Sequence, residues 1–305
     1  MKILLKTWQK VLLNRREGML NFDREKSEKR GILSQEIKVF HIKDQIVNEF
    51  EYHYHDFHKI IIFIKGNVTY MIEGKAYKLK PWDLLIIGSG QIHKPIIDPT
   101  EEYERFIIWF DPSMVSKHSR DHTNLLMCFD LAARRQINLL RISDEPLVKV
   151  KNIVRELIEA ESEPAFGHDI LKSALLLQLL VILNRAFVLE EADTQDILFD
   201  KHITEVLTYI NQHLSEDLSI SSLASRCFLS KYHLMRKFKA YTGYTLHQYI
   251  LQKRLYMAKS MLSKGETMIN ISQRAGFNDY STFVRAFKKE FGLSPRDYAK
   301  EFNVE

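Results

Sequence analysis

The chain has 305 residues, of which 45% are hydrophobic and 27% are charged, and its two cysteines are Cys128 and Cys227. This length allows two or three domains, and two distant cysteines suit a reducing cytoplasm and exclude a disulfide-stabilised scaffold. The first twenty residues lack a small-residue cleavage site, so we expect no signal peptide. The most apolar run, residues 174–183, is too short to cross a bilayer, so we predict a cytoplasmic protein without a membrane partner.

The net charge of +5 is unevenly distributed. Residues 200–305 contain 16 Lys and Arg against 10 Asp and Glu, whereas residues 1–199 contain 28 against 29. A basic domain joined to a near-neutral one is typical of nucleic-acid-binding proteins. Many solvated helical surfaces are also basic, so the charge alone does not decide the function.

The first thirty residues are rich in Lys and Arg and place Leu4, Leu5, Trp8, Val11 and Leu12 at roughly helical spacing. We assign residues 1–30 to an N-terminal arm. Two interpretations remain open: the arm docks on another domain, or it is a solvated extension.

Short β-branched and aromatic runs predict strands from about Lys38 to Phe110. They read IIIFIKG, VTYMIEGKAYKL, WDLLIIGSG and ERFIIWF, and turn signals such as Lys65-Gly66-Asn67 and Glu73-Gly74-Lys75 separate them. Several short strands at this spacing favour a barrel or a sandwich. We assign residues 31–125 to this domain.

Beyond the strands the hydrophobic period becomes helical. A predicted helix that begins at Pro146 carries one apolar face, and residues 170–189 are apolar on almost all sides. We expect this second helix to be buried against the barrel, the preceding helix or a second subunit. Residues 126–199 are therefore assigned to a helical dimerisation and linker region, and the acidic residues 190–200 are predicted to be a linker.

An internal repeat lies within residues 200–305. The segments LASRCFLSKYHLMRKFKAYTGYTLHQYI and ISQRAGFNDYSTFVRAFKKEFGLSPRDYA match at an offset of 48 residues before the turn, where Leu223 corresponds to Ile271, and at an offset of 49 after it, because the second copy has one extra residue in its turn. Each copy predicts a short helix, a tight turn and a second amphipathic helix, which Ser230 can cap in one copy and Asp279 or Ser281 in the other. The matched pairs are Leu234/Phe283, Arg236/Arg285, Phe238/Phe287, Lys239/Lys288, Gly243/Gly292 and Tyr249/Tyr298.

This repeat resembles the DNA-binding domain of the AraC/XylS family of transcription regulators, and the segment AGFNDYSTFVRAFKKEFGLSPRDY is close to that family's signature. The resemblance implies seven helices that form two helix-turn-helix units, joined by the long helix TLHQYILQKRLYMAKSMLSKG, with recognition helices in successive major grooves. Carried over by position, Tyr232, Met235 and Arg236 read bases in the first unit, and Ser281, Val284 and Arg285 in the second. The full set of predicted DNA-binding residues is Ser230, Lys231, Tyr232, Met235, Arg236, Lys239, Tyr280, Ser281, Val284, Arg285 and Lys288.

The segments EYHYHDFHKIIIFIKG and GSGQIH resemble the first and second motifs of the cupin barrel, which many members of this regulator family carry as an effector-sensing domain. In cupin enzymes a His-x-His pair, a following Glu and a later His hold a metal. His53, His55 and His93 stand at the matching positions, but Lys59 replaces the carboxylate, and an ammonium group has no lone pair for a metal.

Three interpretations of these histidines stay open: they hydrogen-bond a small polar effector, they are satisfied core residues, or they bind zinc, nickel or iron as three ligands. We favour the effector site, without metal or cofactor. An inward-facing lysine favours an anionic or polyhydroxylated effector, and the family resemblance implies a sugar. The predicted effector residues are His53, His55, Lys59, His93, Trp82 and Arg105.

The sequence therefore predicts a multidomain α+β protein with a cupin-like β-barrel, a helical dimerisation segment and an all-α domain of residues 200–305 with two helix-turn-helix units. We expect a homodimeric, non-enzymatic regulator, an activator that binds promoter half-sites in double-stranded DNA, responds to an effector and has RNA polymerase as a partner. The alternative is a metal-dependent cupin enzyme with an accessory helical domain, against which the Lys59 replacement argues.

Overall fold

The computed structural model describes residues 33, 35–45, 50–120, 122–162, 165–189, 196–262 and 266–302. The arm predicted for residues 1–30 lies outside these residues, as do residues 190–195 of the acidic stretch.

The predicted strands form two facing sheets, and the sheets do not join into one hydrogen-bonded barrel among the described residues. One sheet has the order β1-β7-β2-β5-β8 and the other has the order β6-β3-β4-β9. The strands are β1 (Ile37–Asp44), β2 (His58–Lys65), β3 (Val68–Ile72), β4 (Lys75–Lys78), β5 (Leu84–Ile87), β6 (His93–Ile97), β7 (Tyr103–Phe110), β8 (Leu139–Leu140) and β9 (Ile197–Phe199).

Alternation along β2 explains how the five-stranded sheet is covered on both faces. Ile61 and Phe63 lie in the cluster between the two sheets. Ile60 and Ile62 point the other way and join a cluster that includes the helices of the middle region. This burial on both faces accounts for the nearly continuous apolar run IIIFI.

Among the described residues, four helices lie between β7 and β9: α1 (Pro112–Ser116), α2 (Met127–Arg135), α3 (Asp144–Ser162) and α4 (His168–Leu189), with β8 between α2 and α3. The helices α3 and α4 confirm the prediction, whereas α1 and α2 were not predicted because they are short and lack a clear period. The expectation of a linker at 190–200 is wrong for residues 197–199, which form β9. That strand pairs with β4 and buries Ile197, so tertiary pairing orders a segment whose local composition is acidic.

One side of the helix α4 is buried and the other side is exposed. Leu176, Leu179, Leu180 and Leu183 are fully buried in the cluster with the five-stranded sheet. By length and composition alone the segment His168–Val188 could cross a membrane, but the core helix of a soluble protein passes the same test, and half of the segment is buried. Its exposed side carries Ile170 among other apolar residues.

The described residues between Lys201 and Phe302 form seven helices, as the family resemblance implied. They are α5 (Lys201–Gln212), α6 (Ile220–Arg226), α7 (Lys231–Thr242), α8 (Leu246–Met261), α9 (Met268–Arg274), α10 (Tyr280–Phe291) and α11 (Pro295–Phe302). Helices α6 and α7 form the first helix-turn-helix unit, α9 and α10 form the second, and α8 connects them.

The two units share the buried face that the repeat predicted. Leu234 and Phe238 are fully buried in the first unit, as are Phe283 and Phe287 in the second. Gly243 ends α7 and Gly292 ends α10, and both are left-handed, with φ of 76° and 80°. The matched glycines therefore terminate equivalent helices in the same way.

Candidate functional site

The recognition helices begin at side-chain caps. The Ser230 side chain accepts a hydrogen bond from the backbone N–H of His233 at the start of α7. The Asp279 carboxylate accepts one from the N–H of Thr282 at the start of α10. These caps fix where each helix begins and therefore which residues form its first two exposed turns.

The side chains predicted to contact DNA lie on the exposed sides of α7 and α10. Tyr232 is 70% exposed, and Val284 is the one member of the set that is half-buried. The exposed members are Ser230, Lys231, Tyr232, Met235, Arg236, Lys239, Tyr280, Ser281, Arg285 and Lys288. The buried pairs and the exposed arginines thus occupy opposite faces of each helix, as the i, i+4 spacing requires.

The two matched arginines make only weak local contacts within the described chain. The Arg236 guanidinium lies 6.0 Å from the Tyr232 ring centroid. The Arg285 guanidinium donates to the Ser281 carbonyl and the Thr282 hydroxyl, each at 3.4 Å. By contrast, Lys237 forms an ion pair with Asp200 at 2.6 Å, so this lysine stabilises the domain instead of facing solvent.

A second candidate site lies at one end of the two sheets, where His53, His55 and His93 meet. One potential ligand atom from each ring lies within 4.8 Å of the others. The backbones of His53 and His93 are paired by two hydrogen bonds of 3.0 and 2.9 Å. His55 and His93 are buried and His53 is half-buried.

Burial keeps these imidazoles neutral. Desolvation, followed by the charge of Lys59, lowers the pKa of His53 to about 4. The same two causes, in the same order, place the pKa of His55 well below its usual range. Desolvation followed by the neighbouring His53 and Lys59 does so for His93. All three rings therefore present unprotonated nitrogens at neutral pH.

The structure does not bring all the predicted effector residues together. Lys59 is buried on the same face of β2 as Ile61 and lies 5.9 Å from the Trp109 ring, beside His55. Arg105 lies four residues further along β7, roughly 13 Å at the rise of a strand, and forms an ion pair with Asp44. Trp82 packs against the helix-facing cluster, with the Lys151 ammonium 4.4 Å from its ring.

The neighbours of the histidines contact the DNA-binding domain, which the sequence did not predict. The Tyr52 hydroxyl donates to the Tyr241 carbonyl at 2.8 Å. The Tyr54 hydroxyl donates to the Glu290 carboxylate at 2.6 Å. Period-two alternation from Tyr52 to His55 was the available signal: it separated tyrosines from histidines but did not show what covers the tyrosines.

Two further segments extend this contact. Ile92, next to His93, lies in the same buried cluster as Leu234 and Phe238. Glu73 in the β3–β4 turn pairs with Lys253 of α8 at 2.8 Å and accepts a hydrogen bond from the Tyr249 hydroxyl. The two-sheet domain and the first helix-turn-helix unit therefore share one core.

Comparisons with known proteins agree with this architecture. Residues 223–301 match the model of a helix-turn-helix domain family, and residues 39–180 match the model of the AraC-like ligand-binding domain. The transcriptional activator RhaR of Mannheimia succiniciproducens is 26% identical over 255 residues, which cover 83% of this chain and 88% of the relative.

The transcriptional activator RhaS of Citrobacter koseri is 26% identical over 257 residues, covering 81% of this chain and 87% of the relative. Among solved structures, the C-terminal domain of the response regulator AraT from Geobacillus stearothermophilus is 27% identical, covers 35% of this chain and 89% of that chain, and has a TM-score of 0.34.

Two helix-turn-helix units with exposed recognition faces, joined to a ligand-binding domain, define a sequence-specific DNA-binding transcription regulator. The two matched ranges, residues 39–180 and 223–301, together cover well over half of the chain. The ligand-binding domain precedes the helix-turn-helix domain, as we predicted from the sequence. The chain belongs to the AraC family of transcription regulators.

Proposed function

We propose that this protein is a cytoplasmic activator, and not an enzyme, that binds promoter half-sites and recruits RNA polymerase when a small ligand occupies its two-sheet domain. The observation that carries the proposal is the pair Arg236 and Arg285, exposed in register on two capped recognition helices. The names of the relatives RhaR and RhaS, both transcriptional activators, support activation as the output.

The two arginines are assigned to guanine bases. An arginine at such a position can donate two hydrogen bonds to O6 and N7 of guanine, which discriminates against other bases by ~1–3 kcal/mol. Met235 and Val284 are suited to thymine methyl groups, and the exposed Lys231, Lys239 and Lys288 to phosphates. Tyr232, Ser230, Tyr280 and Ser281 lie beside them and complete the two contact surfaces.

The exposed side of α4 supports a homodimer. Ile170 is 72% exposed, and Leu171 and Val188 are also exposed, although the opposite side of the same helix is fully buried. A symmetric contact between two copies of α4 would remove these side chains from water. A dimer presents four helix-turn-helix units, so it can hold two half-sites at once.

The ligand is assigned to the end of the two-sheet domain that carries His53, His55, His93 and Lys59. These groups offer neutral imidazoles and one ammonium, which suit the oxygen atoms of a polyhydroxylated or anionic molecule such as a sugar. Their neighbours reach the DNA-binding domain directly, so a ligand here needs no distant pathway to affect it. Arg105 and Trp82 lie outside this group and are assigned to packing.

Genomic footprinting in the host tests the proposal. Wild-type protein should give discrete peaks near promoters, and Arg236→Ala and Arg285→Ala should each lose them, because each variant removes one base-reading side chain. Arg155→Ala, at an exposed position on α3 far along the chain from either recognition helix, is the matched control and should keep them. Peaks that persist in both recognition-helix variants would disprove the assigned interface.

A further inference from the structure

We propose that His53, His55 and His93 bind one divalent transition-metal ion, and that this ion holds in place the two backbone segments on which the DNA-binding domain is docked. The inference rests on the proposed function and revises it at the same site: the three imidazoles hold the ion, and the small ligand would bind at the ion's open position and beside the Lys59 ammonium instead of to the imidazoles. The metal site itself stands on the geometry of the three rings.

The first argument is the orientation of two of the rings. His53 Nδ1 lies 2.9 Å from the Glu51 carbonyl, and His93 Nδ1 lies 2.9 Å from the Gln91 carbonyl. Carbonyls accept hydrogen bonds, so each Nδ1 carries the proton and each Nε2 has a free lone pair. Metal-binding histidines use this arrangement, in which a carbonyl fixes the tautomer and the ring orientation.

The second argument is that three buried ring nitrogens have no hydrogen-bond partner among the described residues. Within the described chain, Nδ1 and Nε2 of His55 and Nε2 of His93 are buried and have no hydrogen-bond partner. Buried polar atoms of this kind are rare, because leaving them unpaired costs free energy. The interpretation of locally satisfied core histidines therefore fails for His55, and a bound ion would satisfy one nitrogen on each ring.

The third argument is size. Bonds of 2.0–2.1 Å in a tetrahedral zinc site place nitrogen ligands roughly 3.3 Å apart, and the three ligand atoms here lie within 4.8 Å of one another. Small side-chain rotations close that difference. The separation of the rings is therefore of the size that a single ion requires.

Lys59 sets the charge of the site. Its ammonium lowers the pKa of all three imidazoles and disfavours a bare cation beside them. Three neutral histidines leave one position of a four-coordinate ion open. An anionic fourth ligand such as hydroxide or a carboxylate would offset the ammonium charge, so the site is suited to an ion that carries one.

The same short segments hold the DNA-binding domain. His53 and His55 alternate with Tyr52, Tyr54 and Asp56, which contact Tyr241, Glu290 and Lys259 respectively. His93 follows Ile92, which lies in the core of the first helix-turn-helix unit. The Gly90 carbonyl, three residues before His93, accepts a hydrogen bond from Lys253 at 2.9 Å.

An ion that draws the three rings together must act on these segments, because each ligand is one residue from a docking contact. Residues 51–57 and 88–93 would become less mobile with the ion bound. We therefore expect the ion to change amide exchange in both segments and in α8, which carries Lys253 and Lys259.

Cobalt binding tests the site. The full chain, without an affinity tag and treated with chelator, is titrated with Co²⁺ while visible absorption is recorded, and bound metal is measured after dialysis against Zn²⁺. One equivalent of metal per chain and a visible band are expected. His55→Gln should lose both, since His55 makes no hydrogen bond that its replacement would break.

The matched control is His41→Gln, which removes an exposed histidine on β1 that pairs with Glu104. It should bind metal like the wild type, and circular dichroism should show that both variants are folded. No stoichiometric metal in the wild type, or unchanged binding in folded His55→Gln, would overturn the site.

Hydrogen exchange with and without Zn²⁺ tests the coupling. Slower exchange in residues 51–57 and 88–93 and altered exchange in α8 support it. Slower exchange in the two segments with α8 unchanged would overturn it. Either result is independent of the footprinting of Arg236 and Arg285 variants, so failure of the metal site and failure of the DNA-binding proposal are distinguishable.

Discussion

The two helix-turn-helix units share one plan but are held differently. The core of the first unit includes Ile92 of the two-sheet domain, with Tyr52 and Tyr54 packed against it. The core of the second unit, as far as the described residues go, is built from residues of α8 to α11 alone. The repeated sequence therefore determines the buried core of each unit. The contacts that each core makes with the two-sheet domain, which is distant in the chain, differ between the two units.

The largest test compares Phe238→Ala with Phe287→Ala, which remove matched, fully buried rings. Each should lower the free energy of unfolding of its unit by ~3–5 kcal/mol, because each leaves a cavity. Only Phe238→Ala should also speed amide exchange in residues 51–57, since Phe238 shares its cluster with Ile92. Equal exchange in that segment for both variants would contradict the comparison.

Ile92→Ala truncates the residue that the two-sheet domain contributes to the core of the first unit. Ile92 is 1% exposed, so its truncation should cost ~2–5 kcal/mol and speed exchange in α6 and α7. Helices α9 and α10 should exchange as in the wild type. Ile96→Ala, which alters a residue that is 49% exposed, is the control and should change stability by less than about 0.5 kcal/mol.

Lowering the pH should destabilise the two-sheet domain and, through the shared core, the first helix-turn-helix unit. Desolvation lowers the pKa of His58 to about 4, and its Nδ1 accepts a hydrogen bond from the Ser89 N–H. The unfolded chain, with a histidine pKa of about 6.5, binds more protons between these values. The stabilisation is therefore complete above pH 6.5 and is lost as the pH falls towards 4.

For His58 we expect a loss of about 1–2 kcal/mol between pH 7 and pH 5, at 1.36 kcal/mol per pKa unit. Urea denaturation of the wild type and of His58→Gln at both pH values measures it. Glutamine can still accept from Ser89 but does not titrate, so the variant should lose less stability. Identical losses in the two proteins would assign the acid sensitivity to other groups.

The last test compares the two tyrosines of the docking segment. Tyr54→Phe removes the hydrogen bond to Glu290 in the second unit, and Tyr52→Phe removes the one to Tyr241 in the first. We expect ~1.5–3 kcal/mol for the charged acceptor and ~1 kcal/mol for the carbonyl. Tyr54→Phe should speed exchange near the end of α10, whereas Tyr52→Phe should leave α7 nearly unchanged because the shared core still holds it.

The sequence predicted the features that repeat or alternate locally. Register across the repeat identified the buried Leu234 and Phe283 and the exposed arginines. Ser230 was predicted as one helix cap, and of the two candidates for the other cap the structure shows Asp279 in place of Ser281. The family match confirms the class of protein, whereas the assignment of individual bases to Arg236 and Arg285 stays a prediction.

Contacts between distant segments could not be predicted in this way. Glu73 and Lys253 are far apart in sequence and neither lies in a motif, so no local pattern pairs them. Strand β9 was missed for the same reason, since its partner β4 precedes it by more than a hundred residues. Alternation predicted that His53 and His55 share a face but could not show that their rings meet His93.

The matched glycines at the ends of α7 and α10 have a consequence for how the two copies can diverge. A Cβ atom at Gly292 would meet no other group within 4 Å, so only its left-handed backbone disfavours other residues, and asparagine is a tolerable replacement. A Cβ atom at Gly243 would lie 2.4 Å from the Tyr52 ring. A side chain at this position therefore meets a second obstacle in the first copy, beyond the backbone conformation that both copies share, so the same substitution should cost more at Gly243 than at Gly292.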